Sequence, residues 1–428
     1  MPCKMYSSVR KFGTLSKHIP SAFDIAIVGG GTAGMNIAWK LGRYYKKLNI
    51  ALIEPSLFHY YQPMWTLVGA GIKNFESSVS NFSDLTRNLR IVKLRDKTVE
   101  FIPEENCIRL ATKGYLRYNY LVVCTGIELD FQRIKGIDEA FQKDNVCSNY
   151  SPDTVQKTWK CLQNMESGNA IFTFPNTPIK CAGAPQKIMY LAEDYWRKTG
   201  KRDNINILFN SSLPGIFSVP KYAKSLNEII EKRGIKTNFR HNLIEIKASE
   251  NVAVFENLDT GDKVPFEYGM IHVTPAQKPS EILKPIGDQA GFVDVDKYTL
   301  QHVKYPNIFS LGDCSNLPTS KTAAAVASQS GILFWNLVNV MAGRDPPMKY
   351  DGYSSCPLVT SYSKCILAEF DYDLKPKETF PVDQGKERRS MFIMKSTFMP
   401  LLYWFLHVTG RWSGPGKLRK LLRFGLSD

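Results

Sequence analysis

The stretch Asp24-Ile-Ala-Ile-Val-Gly-Gly-Gly-Thr-Ala-Gly34 decides the fold. Its β-branched, apolar first half predicts a buried parallel strand, and the residues that follow, to about Lys47, predict a helix. Gly29, Gly31 and Gly34 fit the pattern G-x-G-x-x-G at the turn between them. The first glycine permits the tight turn, the second lets the backbone approach a pyrophosphate, and the third lets the helix pack on its strand. Because a helix N-terminus also offers free N–H groups to phosphates, the stretch predicts a dinucleotide-binding domain.

Two further segments favour FAD as the dinucleotide. Glu54 ends the next predicted strand, twenty residues after Gly34, where an acidic side chain accepts hydrogen bonds from ribose hydroxyls. The stretch Tyr305-Pro-Asn-Ile-Phe-Ser-Leu-Gly-Asp313 looks like the late motif of two-domain flavoproteins, in which the aspartate binds the ribityl chain. A helix predicted from Thr322 would point its positive N-terminus at the electron-rich edge of a reduced flavin.

A second α/β unit is predicted between residues 151 and 275. Strands at 170–174 and 205–209 alternate with helices at 185–199 and about 221–233. After residue 209 the chain reads Asn210-Ser-Ser-Leu-Pro-Gly215, with one glycine where a nicotinamide-binding unit would repeat the glycine pattern. The sequence therefore predicts an α/β fold with two Rossmann-like dinucleotide-binding domains, and an electron donor other than NADH.

Positive charge is concentrated at the two ends of the chain. Of the net charge of +15, nine charges lie in residues 1–23 and 391–428. The first of these segments is basic, rich in hydroxyl groups and free of acids before Asp24, which predicts a mitochondrial presequence, with a disordered basic tail as the alternative. No helix-turn-helix, zinc-finger or RNA-binding signature accompanies the charge, so no nucleic-acid partner is predicted.

The C-terminal region has the composition of a membrane-surface segment. Residues 391–409 are mostly apolar and aromatic but are too short and too interrupted to predict a span. Five basic residues mixed with large apolar ones follow, so we expect an amphipathic, membrane-associating segment that does not cross the bilayer. A helix packed on the protein itself or on a second subunit is the alternative.

These patterns divide the chain into five parts. We expect a presequence at 1–23, the first part of the FAD-binding domain at 24–150, the second Rossmann-like domain at 151–275, the second part of the FAD-binding domain with a redox cysteine segment at 276–373, and a linker with C-terminal membrane-associating helices at 374–428.

Nine cysteines are spread along the chain without a C-x-x-C pair or the spacing of a zinc site, so no metal site is predicted. Cys181 lies between a predicted strand and a predicted helix, with Lys180 and Lys187 nearby, and this position favours its thiolate. Cys356 lies in a predicted turn that leads to a strand. Spacing alone does not pair these two residues, and each is equally explained as an inert buried cysteine.

Four runs carry a specific resemblance, at residues 59–66, 180–187, 312–325 and 355–360. Over about residues 24–425 the chain resembles the eukaryotic, mitochondrial sulfide:quinone oxidoreductases. The resemblance implies that Cys181 and Cys356 are the redox cysteine pair, with the persulfide on Cys356 and a flavin-facing thiolate at Cys181. Bacterial relatives often carry a third cysteine shortly after the Thr-Gly that matches Thr125 and Gly126, and none occurs here, so Cys124 is interpreted as packing.

The resemblance also implies the reaction and its partners. Hydrogen sulfide is oxidised through the cysteine pair and FAD, ubiquinone receives two electrons, and glutathione or sulfite takes the sulfane sulfur. The resemblance also implies monotopic attachment to the mitochondrial inner membrane, and it is compatible with a homo-oligomer. Together with the motifs, the resemblance assigns cofactor binding to Gly29, Gly31, Thr32, Ala33, Gly34, Glu54, Gln62, Thr125, Gly126, Asp313, Lys321 and Lys395, and an apolar quinone groove to Leu358, Phe392, Phe398, Leu401 and Tyr403.

Three other functions fit parts of the sequence. A type II NADH:quinone oxidoreductase shares the expected fold and membrane segment but needs the second glycine pattern. A non-catalytic FAD-binding protein leaves Cys181 and Cys356 without a role. A disulfide reductase usually carries both cysteines in one short motif, whereas these two are 175 residues apart.

Overall fold

The structure is a computed structural model that describes residues 22–424, so the predicted presequence lies almost entirely outside the described residues. Within that range the chain forms twenty-one strands. Their bounds are β1 Phe23–Val28, β2 Ile50–Ile53, β3 Phe58–Tyr60, β4 Val79–Asn81, β5 Val92–Leu94, β6 Thr98–Ile102, β7 Cys107–Leu110, β8 Gly114–Val123, β9 Glu128–Asp130, β10 Val146–Cys147, β11 Gly168–Phe174, β12 Ile205–Ser211, β13 Lys236–Phe239, β14 His241–Lys247, β15 Val252–Asn257, β16 Lys263–Glu267, β17 Met270–His272, β18 Ala276–Lys278, β19 Ile308–Ser310, β20 Ser354–Ser361 and β21 Lys364–Phe370.

Eleven α-helices occur in the same range, some of them a single turn. They are α1 Thr32–Tyr44, α2 Trp65–Gly69, α3 Phe82–Thr86, α4 Ile137–Ala140, α5 Val155–Asn164, α6 Ala184–Lys198, α7 Pro220–Lys232, α8 Ala323–Met341, α9 Arg389–Ile393, α10 Met399–Leu402 and α11 Gly416–Leu422.

The first sheet is built on β1. Its parallel part has the order β5-β2-β1-β8, and β19 pairs with the other side of β8. The central strands β1, β2 and β19 are buried on both faces, as their continuous apolar runs require, whereas the edge strand β5 is largely exposed. Val28 pairs with Ile53 on one side and with Val123 on the other, so the carboxyl ends of three strands meet at the turn after β1.

The second sheet is entirely parallel, with the order β10-β17-β11-β12-β13. The antiparallel strands β14, β15 and β16 form a separate small sheet after it. The predicted α/β fold with two Rossmann-like units is confirmed. Because β10 lies at Val146–Cys147, the second sheet takes a strand from before residue 151, and the predicted domain boundaries stay a prediction.

The hairpin of β20 and β21 joins the C-terminal part to the second unit, because it packs on α6 and α9. The structure corrects one expectation here, since Cys356 lies inside β20, opposite Ala368, and not in a turn. The predicted linker is also bonded to this hairpin. Thr379 and Gln384 are buried and donate hydrogen bonds to the Glu369 carboxylate of β21.

One helical stretch covers residues 389–407, because the π-helical turn Met394–Phe398 joins α9 to α10 and a second one, Tyr403–His407, continues α10. Its inner side buries Met391, Lys395, Tyr403 and His407. Its outer side exposes large apolar side chains, which are Ile393, Phe398, Leu401, Phe405 and Leu406. Within residues 22–424, no helix combines the length and the apolar character that crossing a bilayer requires.

Candidate active site

The turn between β1 and α1 is shaped to receive a pyrophosphate. Gly29 has a φ of +98°, and a Cβ there would overlap the carbonyl oxygen of Cys124. A Cβ at Gly34 would overlap the carbonyl oxygen of Gly29, so the helix can pack this closely only on a glycine. Gly31 has no atom within 4 Å of the position that a Cβ would take, and its backbone therefore faces open space.

Glu54 lies against this turn. Its carboxylate accepts hydrogen bonds from the backbone N–H groups of Gly30 (2.5 Å) and Ser56 (2.7 Å). Burial raises the pKa of Glu54, and these two hydrogen bonds oppose the rise. The carboxylate is thus held at the edge of the glycine turn, and its binding of a ribose stays a prediction.

The late motif meets the glycine turn in space. A Cβ on Gly312 would lie 3.2 Å from the Cβ of Ala33, which places Asp313 beside the start of α1. Burial raises the pKa of Asp313, and the nearby cations Lys321 and Lys180 oppose that rise. On the other side, Gly126 (φ +74°) faces open space, and the buried Oγ1 of Thr125 has no hydrogen-bond partner among residues 22–424. An open glycine cradle with an unpartnered hydroxyl fits a bound dinucleotide such as FAD.

The two predicted cysteines lie together. The Sγ atoms of Cys181 and Cys356 are 3.3 Å apart. Cys181 has a φ of +54°, a conformation that side chains other than glycine rarely adopt, and its N–H donates to the carbonyl of Lys321 (2.8 Å). A Cβ added to Gly183 would overlap Cys356 Sγ, so this glycine allows the turn of Cys181 to approach β20.

The surroundings make the two sulfurs unequal. The hydrogen bond with Cys356 and the buried Lys187 ammonium, 3.3 Å from Cys181 Sγ, together hold the pKa of Cys181 well below the usual range of a thiol. The same hydrogen bond, together with burial, raises the pKa of Cys356. Burial lowers the pKa of Lys187, but the two sulfurs more than compensate and raise it. Lys187 and the hydrogen bond between the sulfurs thus favour a thiolate at Cys181 and a thiol at Cys356 in the reduced pair.

Other predicted residues surround this pair. The Lys180 ammonium donates to Gln62 Oε1 (2.6 Å), and burial lowers the pKa of Lys180 to about 8. Lys395 is only 3% exposed and donates to the carbonyl of Pro63 (2.8 Å). Burial, followed by the charge of Lys187, lowers the pKa of Lys395 to about 8.

The Lys321 side chain points back toward the late motif. Its ammonium donates to the carbonyls of Asp313 (2.8 Å) and Ser315 (2.9 Å). Its backbone carbonyl accepts from Cys181, so one residue links the predicted flavin site to the sulfur pair. Among the described residues, no cluster of side chains could hold a metal ion.

Comparison with known proteins decides the family. Residues 23–159 match the family described as pyridine nucleotide-disulphide oxidoreductase. The mitochondrial sulfide:quinone oxidoreductase of Mus musculus is 52% identical over 409 residues, which cover 95% of this chain and 90% of the mouse protein. The chain belongs to the sulfide:quinone oxidoreductase family. The mitochondrial member from Dictyostelium discoideum is 48% identical over 94% of this chain and 89% of its own length. The solved sulfide:quinone oxidoreductase of Aquifex aeolicus has the same fold, with a TM-score of 0.79 at 19% identity, covering 94% of this chain and 95% of that one.

In this sulfide:quinone oxidoreductase family member, the counterpart of the first glycine turn does not lie at residues 210–215, where the sequence predicted it. β11 occupies in the second sheet the place of β1 in the first, since α6 follows it directly. The equivalent turn is therefore residues 175–183, not residues 210–215. It contains one glycine, Gly183, and it carries Cys181. The absence of a nicotinamide fingerprint holds at the correct turn as well.

The sequence predicts no role for His59, places Tyr403 only in the quinone groove, and gives Lys187 only as a neighbour of Cys181. A buried cation in the first turn of a helix opposes the helix dipole, so the position of Lys187 in α6 indicates a function. Tyr403 Oη lies 2.8 Å from Thr32 Oγ1 and 2.7 Å from His59 Nε2. His59 Nδ1 lies 3.1 Å from the carbonyl of Gly30, and burial lowers the pKa of His59 to about 4.

The tyrosine and the histidine connect the C-terminal helix to the glycine turn of this sulfide:quinone oxidoreductase family member. No local sequence pattern predicts this contact, because Tyr403 is more than 340 residues away from both Thr32 and His59.

Proposed function

We propose that this chain oxidises hydrogen sulfide with FAD, passes two electrons to ubiquinone and transfers the sulfane sulfur to a small acceptor. One observation carries the proposal. Two sulfurs lie 3.3 Å apart next to a buried lysine, and one of them, Cys181, is on the turn where a nicotinamide-binding unit would hold its glycines. Such a turn suits thiol chemistry and does not suit the binding of NADH.

The first step is an exchange at the Cys181–Cys356 disulfide. Hydrosulfide attacks Cys356 Sγ, a new sulfur–sulfur bond forms there, and the bond between the two cysteines breaks. Its electron pair leaves on Cys181 Sγ, where Lys187 at 3.3 Å stabilises the thiolate. A thiol with a lowered pKa is the better leaving group, so the pKa shifts favour a persulfide on Cys356 and a thiolate on Cys181.

FAD, when bound, supplies the two-electron acceptor between sulfide and quinone. We propose that Gly29, Gly31, Thr32, Ala33, Gly34, Glu54, Gln62, Thr125, Gly126, Asp313, Lys321 and Lys395 hold it, since these residues line the cradle or lie between it and the sulfurs. Cys181 faces that side of the pair, because its backbone is bonded to Lys321. The buried ammonium of Lys395 can stabilise negative charge that develops on the reduced cofactor or on the quinol.

The C-terminal helix suits exchange of ubiquinone with a mitochondrial inner membrane. Its outer face exposes Phe398 by 55%, Leu401 by 50% and Phe405 by 65%. The residues predicted for the quinone groove differ in exposure. Leu358 and Tyr403 are buried, whereas Phe398 and Leu401 are on the surface. We propose that the exposed members contact lipid and that the quinone ring enters beside Lys395. Glutathione or sulfite is the acceptor proposed for the sulfur.

The test is an anaerobic titration of the flavin-loaded protein with sulfide, followed by a short-chain quinone. We expect sulfide to bleach the flavin absorbance and the quinone to restore it. Cys181→Ser and Cys356→Ser should each lower sulfide-dependent quinone reduction by at least about a thousandfold, because neither can form the disulfide that sulfide attacks.

Cys107→Ser is the matched control, since Cys107 is also buried but lies on β7. Substantial activity in either pair variant would refute the sulfur exchange. Bleaching by NADH in place of sulfide would assign the chain to the NADH:quinone reaction.

A further inference from the structure

Three cations gather where α1 meets the end of the helical stretch 389–407. They are Lys40 and Arg43, in the last two turns of α1, and Arg411, which follows the stretch, and we call them the basic junction. Burial and the charge of Arg43 lower the pKa of Lys40 to about 8, and burial and the charge of Arg411 lower the pKa of Arg43. Each cation of the junction therefore lies close enough to a neighbour to be repelled by it.

Contacts between α1, α8 and the chain after the helical stretch hold this junction together. The Lys40 ammonium donates to the carbonyl of Gly410 (3.1 Å) and to Ser413 Oγ (2.7 Å). A Cβ on Gly331 of α8 would lie 2.9 Å from the Cβ of Ser413, so the segment 410–413 is packed between the two helices. These contacts keep Arg411 beside α1 although its charge and that of Arg43 repel each other.

No carboxylate balances the charge of the junction. The three stretches of chain that meet here are residues 25–53, 314–344 and 388–427, and none of them contains an aspartate or a glutamate. Neither Arg43 nor Arg411 forms an ion pair with another residue of 22–424. Because cations held together without a counter-charge raise the free energy of the fold, an anionic ligand among them would stabilise it.

Two hydrogen-bond donors of the same part of α1 lack acceptors. Arg43 Nη2 and Trp39 Nε1 are buried atoms without a hydrogen-bond partner among residues 22–424. The Arg43 guanidinium lies 5.3 Å from the centre of the Trp39 ring, so the two donors are close together. Buried donors are rarely left unpaired. The Arg43 side chain as a whole is only half-buried, and a ligand at the surface can therefore reach it. Donors and cations in this combination select an oxyanion.

The basic junction continues the surface assigned above to lipid contact. The N–H of Arg411 donates to the carbonyl of Leu406 (2.7 Å), and Leu406 is 38% exposed at the end of the helical stretch. On the side of α1 and α8, the rings of Tyr44 and Trp335 lie 6.0 Å apart and are 50% and 46% exposed. Tyrosine and tryptophan side chains favour the headgroup level of a bilayer. The oxyanion that a protein meets at this level is the phosphate of a lipid.

We propose that the basic junction binds the phosphate group of an anionic phospholipid. The planar guanidinium groups of Arg43 and Arg411 suit phosphate oxygens, and Lys40 adds a third positive charge. A phosphatidylcholine headgroup binds more weakly, because its choline cation meets these three cations. Free phosphate shares the chemistry but has no apolar part to lie on Leu406 and Trp335. The inference goes beyond the proposed function, since it requires no sulfide chemistry and names the lipid that the membrane contact selects.

The first experiment measures co-sedimentation of the flavin-loaded full chain with phosphatidylcholine vesicles that contain or lack phosphatidylglycerol. Arg43→Gln and Arg411→Gln each remove one charge, and neither guanidinium donates a hydrogen bond within residues 22–424. We expect each variant to weaken binding to phosphatidylglycerol vesicles by about fivefold, and the double variant by at least about tenfold. Binding to pure phosphatidylcholine should be retained. The Tm should not fall, because the substitutions relieve a repulsion.

Two further variants distinguish a built site from a general positive field. Arg43→Lys keeps the charge but loses the guanidinium, and we expect it to bind phosphatidylglycerol vesicles nearly as weakly as Arg43→Gln. Lys113→Gln with Lys263→Gln removes two exposed charges outside the junction and should leave binding unchanged. Full binding in Arg43→Lys, or undiminished binding in the double arginine variant, would overturn the inference. An equal loss in the lysine control would overturn it as well.

Calorimetry with dihexanoylphosphatidylglycerol, a soluble lipid, tests the site apart from any membrane. We expect this lipid to bind the unsubstituted protein, and to bind the double arginine variant at least about tenfold more weakly. Inorganic phosphate is the second probe, and phosphate binding as tight as that of the soluble lipid would overturn the lipid assignment. If the unsubstituted protein binds the soluble lipid but no vesicle, the membrane contact proposed for residues 389–407 fails and the site is supported.

Discussion

At the scale of single residues, the chemistry depends on an asymmetry between two sulfurs. Both cysteines are enclosed near Lys187, and the Lys187 ammonium lies 3.3 Å from Cys181 Sγ. Cys181 also precedes α6 by three residues, so the helix N-terminus adds positive potential on the same side. The Lys187 cation and the helix dipole both favour a thiolate at Cys181. In the proposed disulfide exchange they therefore favour Cys181 as the leaving sulfur.

Replacing Lys187 by methionine should make Cys181 a weaker acid. The ammonium lowers the pKa of Cys181, so its removal should move the pH at which the thiolate forms upward by about one pH unit or more. The rate of alkylation of the reduced protein by iodoacetamide, measured against pH, reports this midpoint. Lys198→Met, at the far end of α6, keeps the residue type but lies beside Asp194 and should leave the profile unchanged. An unshifted profile in Lys187→Met would contradict the assignment.

At the scale of elements, the helical stretch 389–407 fastens onto the glycine turn. Tyr403 bonds to Thr32 and His59, and Asn36 of α1 donates to the carbonyl of His407 (2.7 Å). The π-helical turns at 394–398 and 403–407 each contain a buried residue of this inner side, Lys395 and Tyr403. A π-turn shifts the register of a helix locally, and such turns are frequent at functional sites.

Removing the Tyr403 hydroxyl should weaken both the packing of the helical stretch 389–407 and the binding of the flavin. In Tyr403→Phe the buried His59 Nε2 loses its partner, which should lower the free energy of unfolding by about 1–3 kcal/mol. We expect a lower Tm for the flavin-loaded protein and faster loss of flavin on dilution. Tyr44→Phe, at a half-exposed ring, is the control. Equal flavin retention in the two variants would show that the Tyr403 contact does not support the cradle.

Local periodicity predicted the elements better than their connections. The central strands β1, β2, β11 and β12 and helices α1, α6, α7 and α8 follow from apolar runs and glycine turns, and the structure confirms them. The turn equivalent to residues 29–34 was predicted after β12 but follows β11. Sequence order alone does not show that β11 is the counterpart of β1. The place of Cys356 inside β20 depends on its pairing with β21, which no local pattern reveals.

At the scale of the whole molecule, the C-terminal region exposes several large apolar side chains. Phe405 is 65%, Leu421 73% and Phe424 90% exposed, and Lys417 and Lys420 lie among them in sequence. Aromatic and leucine side chains mixed with lysines are the composition of a face that rests on anionic lipid. The sequence predicted this segment from composition, but only the fold shows that Lys395 points inward while its neighbours point outward.

Removing two aromatic rings from this surface should detach the protein from vesicles. Each buried phenylalanine contributes about 1.5–3 kcal/mol, so Phe398→Ser with Phe405→Ser should weaken binding to anionic vesicles by at least tenfold. Co-sedimentation measures the binding. Reduction of a short-chain quinone in solution should be retained, and reduction of a long-chain quinone in vesicles should fall. Val303→Ser removes a 61% exposed apolar residue elsewhere and should have no effect. Undiminished co-sedimentation would place the membrane contact on another surface.

Residue spacing did not predict that Cys181 and Cys356 lie close together. They are 175 residues apart, and their contact requires the hairpin of β20 and β21 to pack on α6. Family resemblance paired them, whereas spacing did not. The late motif and the glycine turn, by contrast, were assigned to one cofactor because residues 305–313 look like the late motif of two-domain flavoproteins, and the structure places both at the carboxyl edge of one parallel sheet.

The turn of residues 175–183 has an evolutionary consequence. It occupies the loop that would recognise a soluble electron carrier in a two-sheet oxidoreductase, and it carries Cys181 there instead. Strand β11 leads into this loop and helix α6 follows it, as β1 and α1 flank the glycine turn of the first sheet. A change of electron donor during evolution can therefore be confined to these nine residues and to β20, which supplies the second sulfur, while both sheets are inherited.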